Sequence, residues 1–200
     1  MDGFASIYVH VLITDQGGVL FKALYNARVQ FDLRDYRRED FDRLWQIDQA
    51  CFPAEVAYSR VELSLYMRRA GSFTLVAEAN PKDGATSQPE TTGAREIVGF
   101  IIAEARRRGG HIITIDVPEQ ARHCGIGSEL LTAAEKRLRA AGCPSVSLET
   151  AVDNLPALAF YKRHQYFVTG TLRRYYSNGV DALVLKKDLL PHPETANLPT

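Results

Sequence analysis

The sequence lacks the features by which nucleic-acid-binding, secreted and membrane-spanning proteins are usually recognised. Its 24 basic and 24 acidic residues cancel, so broad attraction to nucleic acid or to anionic membranes is not expected. The cysteines Cys51, Cys124 and Cys143 show no C-x-x-C spacing, which argues against a disulfide framework and a zinc site. No apolar run reaches transmembrane length, and no Lys or Arg precedes the first apolar stretch as in a secretory signal. We therefore expect a cytoplasmic protein that binds no metal, no nucleic acid and no membrane.

What the sequence does contain fits one globular domain. A hydrophobic fraction of 46% in 200 residues is sufficient for a sizeable core. Hydrophobic periodicity and turn residues predict the element order β-αα-βββ-α-β-α-ββ. The predicted strands span residues 31–36, 72–79, 96–105, 111–117, 145–150, 167–176 and 181–187, and the predicted helices span 38–50, 59–69, 128–141 and 156–164. This order indicates an α+β fold of three layers, in which helices flank a mixed central sheet on both faces.

Three segments are predicted to lie outside the regular elements. Residues 1–30 form an N-terminal extension whose β-rich stretches suggest a hairpin, and the alternative is a start codon assigned upstream of the true one. The domain itself is predicted to span residues 31–189. Residues 80–94 are rich in Pro, Gly, Ser, Thr and Asp and predict a long solvated hairpin loop. The polar, proline-bearing residues 190–200 predict a flexible tail.

The strongest local signal is the hexapeptide RHCGIG at residues 122–127, between a predicted strand and a predicted helix. Gly125 and Gly127 allow the backbone to pass close to a ligand, and the free N–H groups of the helix start attract negative charge. Ser128 adds a hydroxyl donor. These features predict a phosphate site. The spacing matches neither the P-loop nor the dinucleotide motif. By themselves the glycines also fit a tight strand-to-helix turn.

The hexapeptide resembles the signature [Q/R]-x-x-G-x-[G/A] of the GNAT family of N-acetyltransferases, with Arg122, Gly125 and Gly127 in the three defined positions. The resemblance implies that this loop holds the pyrophosphate of acetyl-CoA, the cosubstrate. It also implies that the preceding strand end runs beside the pantetheine arm, where Asp116 replaces a small apolar residue. The cofactor-binding residues implied in this way are Ile115, Asp116, Val117, Arg122, His123, Cys124, Gly125, Ile126, Gly127, Ser128, Asn154 and Tyr161.

A second segment, residues 148–167, is similar to the GNAT pattern L-E-V…N-x-x-A-x-x-(L/F)-Y-x-x-x-G-F. Asn154 can also cap the predicted helix by itself. Gln165 stands where the family usually has glycine. The similarity is closest to the bacterial RimI type, which acetylates the N-terminus of a ribosomal protein and carries an R-x-Y-Y hairpin, matched here by residues 173–176. In total the resemblance covers residues 31–189.

Acetyl transfer to an amine requires a base for the amine, stabilisation of the carbonyl oxygen and a proton for the departing thiolate. The resemblance implies that Glu149 is the base, directly or through a water, and that Tyr161 is the acid beside the sulfur. The alternatives are a surface glutamate at a strand end and a core tyrosine. A backbone N–H near Val117 is expected to meet the oxyanion. His111 either assists proton removal or is incidental. No His–Asp partner is apparent for a covalent role of Cys124.

The acceptor is the least defined part of the prediction. The resemblance implies a pocket between the first interhelical loop and the last hairpin, and its substrate-binding residues would be Phe52, Pro53, Tyr58, Tyr175 and Tyr176. Plain packing is the alternative for each of them. An α-amine, with a pKa near ~8 against ~10.4 for lysine, demands less of its base at neutral pH. The RimI-type resemblance implies a protein or peptide N-terminus as the partner. A small-molecule amine acetyltransferase and a non-catalytic acetyl-CoA-binding domain remain alternatives. The chain is expected to be a monomer or a homodimer.

Overall fold

The structure, a computed structural model, describes residues 30–54, 56–79 and 95–190. The predicted N-terminal hairpin, the predicted loop at residues 80–94 and the tail after residue 190 therefore lie outside the described residues. Within the described part of the chain, no helix has the length and apolarity needed to cross a membrane.

The described elements follow the predicted order. The strands are β1 (Phe31–Asp35), β2 (Ser72–Ala79), β3 (Glu96–Arg106), β4 (Gly109–Asp116), β5 (Ser145–Ala151), β6 (Phe167–Leu172) and β7 (Ala182–Asp188). The α-helices are α1 (Phe41–Cys51), α2 (Arg60–Met67), α3 (Ile126–Ala140) and α4 (Leu155–Arg163), and single 3-10 turns span Arg38–Asp40 and Glu119–Ala121. Most predicted boundaries lie within one or two residues of these.

Helix ends form where short-range hydrogen bonds satisfy the free backbone groups. Ser59 accepts a hydrogen bond from the backbone N–H of Glu62, whose carboxylate accepts one in return from the N–H of Ser59. This reciprocal cap starts α2. In the same way Asn154 Oδ1 accepts from the N–H of Ala157 at 3.2 Å and starts α4.

The sheet confirms the predicted α+β fold. Its seven strands run in the order β1-β2-β3-β4-β5-β7-β6. All neighbours are antiparallel except β4 and β5, which are parallel and are connected by α3. Helices α3 and α4 bury Leu130 and Phe160 against one face of the sheet, whereas α1 and α2 bury Leu44 and Leu63 against the other. The core is therefore divided into two layers by the sheet, with helices on both faces.

The prediction of a continuous strand over residues 167–176 is wrong. Strand β6 ends at Leu172, and residues 173–181 form the connection to β7. Arg174 has a φ of 49°, which extended backbone does not allow, and its N–H donates to Asp181 Oδ1 at 2.7 Å. At this point the N–H of Arg174 therefore bonds to the side chain of Asp181 and not to the backbone of a neighbouring strand. Gly179, with a φ of 83°, makes the turn at the tip of this connection.

Candidate active site

The segment between β4 and α3 has the geometry of an anion site. His123 and Gly125 adopt φ values of 63° and 86°, and Gly125 is the residue that directly precedes α3. No side chain caps this helix start. The first N–H groups of an α-helix have no intrahelical acceptor, so they remain free for a ligand. The guanidinium of Arg122 donates to the carbonyl of Val117 at 2.9 Å and thereby fixes the loop to the strand end.

A cavity of about 450 Å³ lies in front of this loop. Its lining residues come from the loop, from the end of β4 and from α4, with one contribution from α1: Cys51, Ile115, Val117, Ala121, Arg122, His123, Gly125, Ile126, Gly127, Ser128, Pro156, Ala159, Phe160 and Arg163. Eight of the twelve predicted cofactor-binding residues are among them. The other four, Asp116, Cys124, Asn154 and Tyr161, do not line the cavity. Arg163 lines it and was not predicted, because a lone arginine near a helix end gives no distinctive sequence signal.

The two parallel strands separate beside the cavity. Strands β4 and β5 are paired only at Gly110 with Val146 and at His111 with Ser147. Beyond these pairs the strands are no longer hydrogen-bonded towards their carboxyl ends, so the backbone groups of β4 on that side have no strand partner in the described part of the chain. The separation leaves an opening between the carboxyl ends of the two strands, and Cys51 of α1 lines the cavity together with residues of α3 and α4.

Glu149 and His111 meet at this opening. His111 is 2% exposed, and its Nε2 lies 2.8 Å from Glu149 Oε2. Arg106 Nη2 lies 3.3 Å from Nδ1 of the same ring. Because a guanidinium can only donate, Nδ1 is the acceptor and Nε2 carries the hydrogen that it donates to the carboxylate. From the sequence, His111 either assists proton removal or is incidental. The structure brings it into direct contact with the candidate base.

Tyr161, the candidate acid, is fully buried on α4. Its ring packs edge-on against Phe160 and Tyr166 at centroid distances of 5.2 and 5.4 Å. Its hydroxyl has no hydrogen-bond partner among the described residues. Burial, and then the charge of Asp116, raise the pKa of this phenol well above its ordinary value of 10.0. Tyr161 therefore retains its proton at physiological pH.

Two buried carboxyl groups influence one another electrostatically, and the charge of one of them, Asp116, also acts on Tyr161. Asp48 on α1 and Asp116 at the end of β4 are 0% and 1% exposed. Burial raises the pKa of Asp48 to about 7. Burial, and then the charge of Asp48, raise the pKa of Asp116 well above 3.8. Sequence patterns did not indicate this pair, because Asp48 occupies an ordinary helical position and Asp116 was considered only for its backbone.

The predicted acceptor residues are mostly packed. Phe52 and Tyr58 are buried in the α1 and α2 layer, where the rings of Tyr58 and Tyr66 lie 5.0 Å apart. Tyr176 is buried against Ala151 and Ala182, and its ring centroid lies 5.2 Å from that of Tyr175. Pro53 is exposed and Tyr175 is half-buried, so these two are the predicted acceptor residues that a ligand reaches most easily.

Asn154 and Gln165 stand at the two ends of α4, and the geometry shows what each of them does there. The Oδ1 of Asn154 caps α4, while its Nδ2 is buried without a partner among the described residues. Gln165 occupies the place of the usual family glycine and adopts a φ of 67°. The left-handed turn is therefore kept, at a cost of about 1 kcal/mol for a residue with a Cβ.

Comparison with known proteins gives consistent matches. The profile of the acetyltransferase (GNAT) family matches residues 41–166. An N-alpha-acetyltransferase of Sulfurisphaera tokodaii is 27% identical over 173 residues, which cover 80% of this chain and 94% of that protein. N-alpha-acetyltransferase MAK3 of Arabidopsis thaliana is 41% identical over 91 residues, 46% of this chain, so the chain spans about half (47%) of that relative's length. The crystal structure of a ribosomal-protein alanine N-acetyltransferase from Escherichia coli has a TM-score of 0.65 at 18% identity, covering 86% of this chain and 100% of that one.

Proposed function

The chain belongs to the GNAT acetyltransferase family, and from this we propose that it transfers the acetyl group of acetyl-CoA to the α-amine of a protein N-terminus. Family membership confirms the resemblance that the two motifs indicated. Both sequence relatives are named N-alpha-acetyltransferases, which supports an α-amine as acceptor. The observation that carries the proposal is the divergence of β4 and β5, because the end of β4 lines the glycine-loop cavity and Glu149 stands near the end of β5.

The cavity is suited to the phosphate end of acetyl-CoA. The free N–H groups at the start of α3 would hold the pyrophosphate. A Cβ placed on Gly127 would lie 3.6 Å from the ring of Phe160, so the fold does not require glycine at this position. Close approach of a ligand would explain why glycine stands there. Arg163 and His123, which also line the cavity, would face the remaining phosphate charge. Acetyl-CoA supplies the activated thioester when it is bound.

Glu149 would accept the proton that the amine loses, directly or through a water. The hydrogen bond from His111 Nε2, at 2.8 Å, fixes the orientation of the carboxylate. Arg106 fixes the tautomer of His111 through Nδ1. A carboxylate whose orientation is fixed by a second group is the arrangement that general base catalysis needs.

Tyr161 would donate its proton to the sulfur as the C–S bond breaks. Its phenol is neutral, and its hydroxyl is not engaged by any described residue. The backbone N–H of Val117, at the diverging end of β4, would stabilise the oxyanion. With Glu149 and Tyr161 contributed by separate elements, proton removal and proton delivery take place at different atoms.

A comparison of acceptors tests this function. The full chain is incubated with acetyl-CoA and either a panel of peptides with free N-termini or a panel of metabolite amines, and thiol release is measured. Peptides with a blocked N-terminus and a free lysine are the matched control. We expect turnover on free α-amines and little on the blocked peptides. Turnover confined to metabolite amines would replace the proposed acceptor, and binding of acetyl-CoA without turnover would indicate a non-catalytic domain.

A further inference from the structure

Ser128 lies at the phosphate site with its hydroxyl already in contact with a histidine. It is the third residue of α3 and lines the cavity in front of the glycine loop. Its Oγ lies 3.0 Å from Nε2 of His164, a partly buried residue 36 positions further along the chain. A serine hydroxyl has a single hydrogen, so the direction of this contact decides whether that hydrogen is available to a ligand.

The position of His164 is also fixed by contacts other than Ser128. The residue directly follows α4, and its backbone N–H donates to the carbonyl of Tyr161 at 3.0 Å. The centroid of its ring lies 4.7 Å from that of Phe160, which itself lines the cavity. The imidazole therefore connects the end of α4 with the start of α3, beside the cavity that both helices line.

The protonation of the ring decides the direction of the contact. When Nε2 has no hydrogen, it accepts the hydroxyl hydrogen of Ser128, which is then not available to a ligand. When Nε2 carries a hydrogen, it donates to Oγ, and the serine hydrogen is free for a phosphate oxygen. A protonated ring has hydrogens on both nitrogens and therefore permits only the second direction.

The surroundings of His164 favour the neutral ring in the free protein. Burial is the largest effect and lowers the pKa of His164 below 6.5. The charge of Glu135 on α3 raises this pKa, whereas Lys187 on β7, which pairs with Glu135 at 2.6 Å, and Arg163 on α4 lower it. A pyrophosphate at the start of α3 would add negative charge beside Ser128 and favour the protonated ring. The charge of His164 is therefore expected to change when the ligand binds.

We propose that His164 is a positioning residue of the acetyl-CoA site: its Nε2 donates to Ser128 Oγ, and Ser128 in turn donates to a pyrophosphate oxygen. Protonation of His164 strengthens this relay, because it fixes the direction of both hydrogen bonds and places a positive charge next to the phosphate. The inference rests on the proposed function, since it concerns the cosubstrate of the same transfer. The bound protein holds the ring proton more tightly than the free protein, so affinity should be highest at low pH and fall as pH rises.

The first experiment follows the imidazole itself. NMR titrations of the His164 ring, assigned by comparison with His164→Gln, are recorded for the free protein and for the protein saturated with acetyl-dephospho-CoA. This analogue keeps the pyrophosphate but lacks the phosphate monoester on the ribose, whose own pKa near ~6 would overlap with that of histidine. We expect the analogue to raise the pKa of His164 by about 0.5 to 1. An unchanged or lowered pKa would overturn the inference.

The second experiment measures the affinity for the same analogue by calorimetry at pH 6 and pH 8. The wild type should bind about 2- to 5-fold more tightly at pH 6, since a pKa change of one corresponds to a factor of ten at most. His164→Gln keeps a donor near the place of Nε2 but cannot be charged, so it should bind nearly equally at both pH values. His123→Gln removes the other histidine at the cavity and should keep the pH dependence. The same ratio in His164→Gln as in the wild type would contradict the role of His164.

A double-mutant cycle with Ser128→Ala separates the relay from packing. At pH 8, where the ring is neutral, Ser128→Ala and His164→Leu should each weaken binding by about 3- to 10-fold. In the Ser128→Ala background, His164→Leu should cost less than about twofold more, because the hydroxyl that it positions is absent. If His164→Leu does not fold, the shorter amide of His164→Asn replaces it.

The outcomes of the cycle distinguish this inference from the proposed function. Multiplied effects of the two substitutions, in a protein that still binds acetyl-CoA, would overturn the relay and leave the proposed transfer intact. Failure of the wild type to bind acetyl-CoA would overturn both. A coupled pair of effects in a protein that acetylates no amine would support the relay and overturn the proposed transfer alone.

Discussion

The role of Glu149 leads to a prediction with a defined pH dependence. In Glu149→Gln the amide oxygen can still accept the hydrogen bond that His111 Nε2 donates to the wild-type carboxylate at 2.8 Å. The contact and the fold are therefore retained, and only the proton acceptor is lost. We expect the rate at pH 7 to fall by ~10²–10⁴-fold, the usual contribution of a general base.

The lost rate should return as the amine loses its proton to solvent instead. An α-amine with a pKa near ~8 is about one-tenth neutral at pH 7, so the neutral share rises roughly 10-fold by pH 9. A lysine, with a pKa near ~10.4, has only about 1 neutral molecule in 2,500 at pH 7 and should recover roughly two pH units later. The sign follows from the amine: a higher pH supplies more neutral nucleophile, and only the variant depends on that supply.

The assay is a pH–rate profile of thiol release for the wild type and Glu149→Gln, with an α-amine peptide and a lysine peptide as acceptors. Glu96→Gln, an exposed glutamate at the start of β3 that pairs with Arg43, is the matched control and should follow the wild type. Superimposable profiles for Glu149→Gln and the wild type would refute the assignment. The base would then be His111 or an ordered chain of waters.

Three further predictions concern the cavity, the acid and the buried pair. Gly125→Asp and Gly127→Asp should abolish acetyl-CoA binding in calorimetry, because each places a negative side chain at the phosphate site. The control Gly127→Ala should keep the fold. Tight acetyl-CoA binding by a folded aspartate variant would contradict this prediction. Tyr161→Phe should lower kcat by ~10²–10⁴-fold with unchanged acetyl-CoA affinity, and a wild-type rate under chemistry-limited conditions would leave Tyr161 a packing residue. The pKa of Asp48 is raised from 3.8 to about 7, so the folded protein holds this proton more tightly than the unfolded chain does. As pH rises through that window, the stability of the wild type should therefore fall relative to that of Asp48→Asn, by at most ~1.4 kcal/mol per pH unit. Thermal melts at pH 5 and pH 8 check the sign, and an equal difference at both values would disprove it.

The sequence predicted those parts of the molecule that short-range patterns encode. The amphipathic repeat of α3 and the glycines before it lie within a few residues of one another, so periodicity and backbone freedom sufficed to locate the loop. The same reasoning overextended β6, because a β-rich composition does not reveal that Arg174 is held in a left-handed conformation by Asp181. That hydrogen bond joins two residues of the connection between β6 and β7 and has no sequence period.

The connections between distant segments were decided by the tertiary structure. His111 and Glu149 are 38 positions apart in sequence and meet because β4 and β5 are paired only up to that point before they diverge. Asp48 and Asp116 lie on different elements, and their pKa values depend on burial and mutual charge, which no residue type or spacing specifies. The motifs alone thus indicated the family and the position of the cofactor loop, because both depend on local backbone geometry. Which ionisable groups influence one another depended on how the sheet and α1 pack, because electrostatic interaction follows distance in space rather than along the chain.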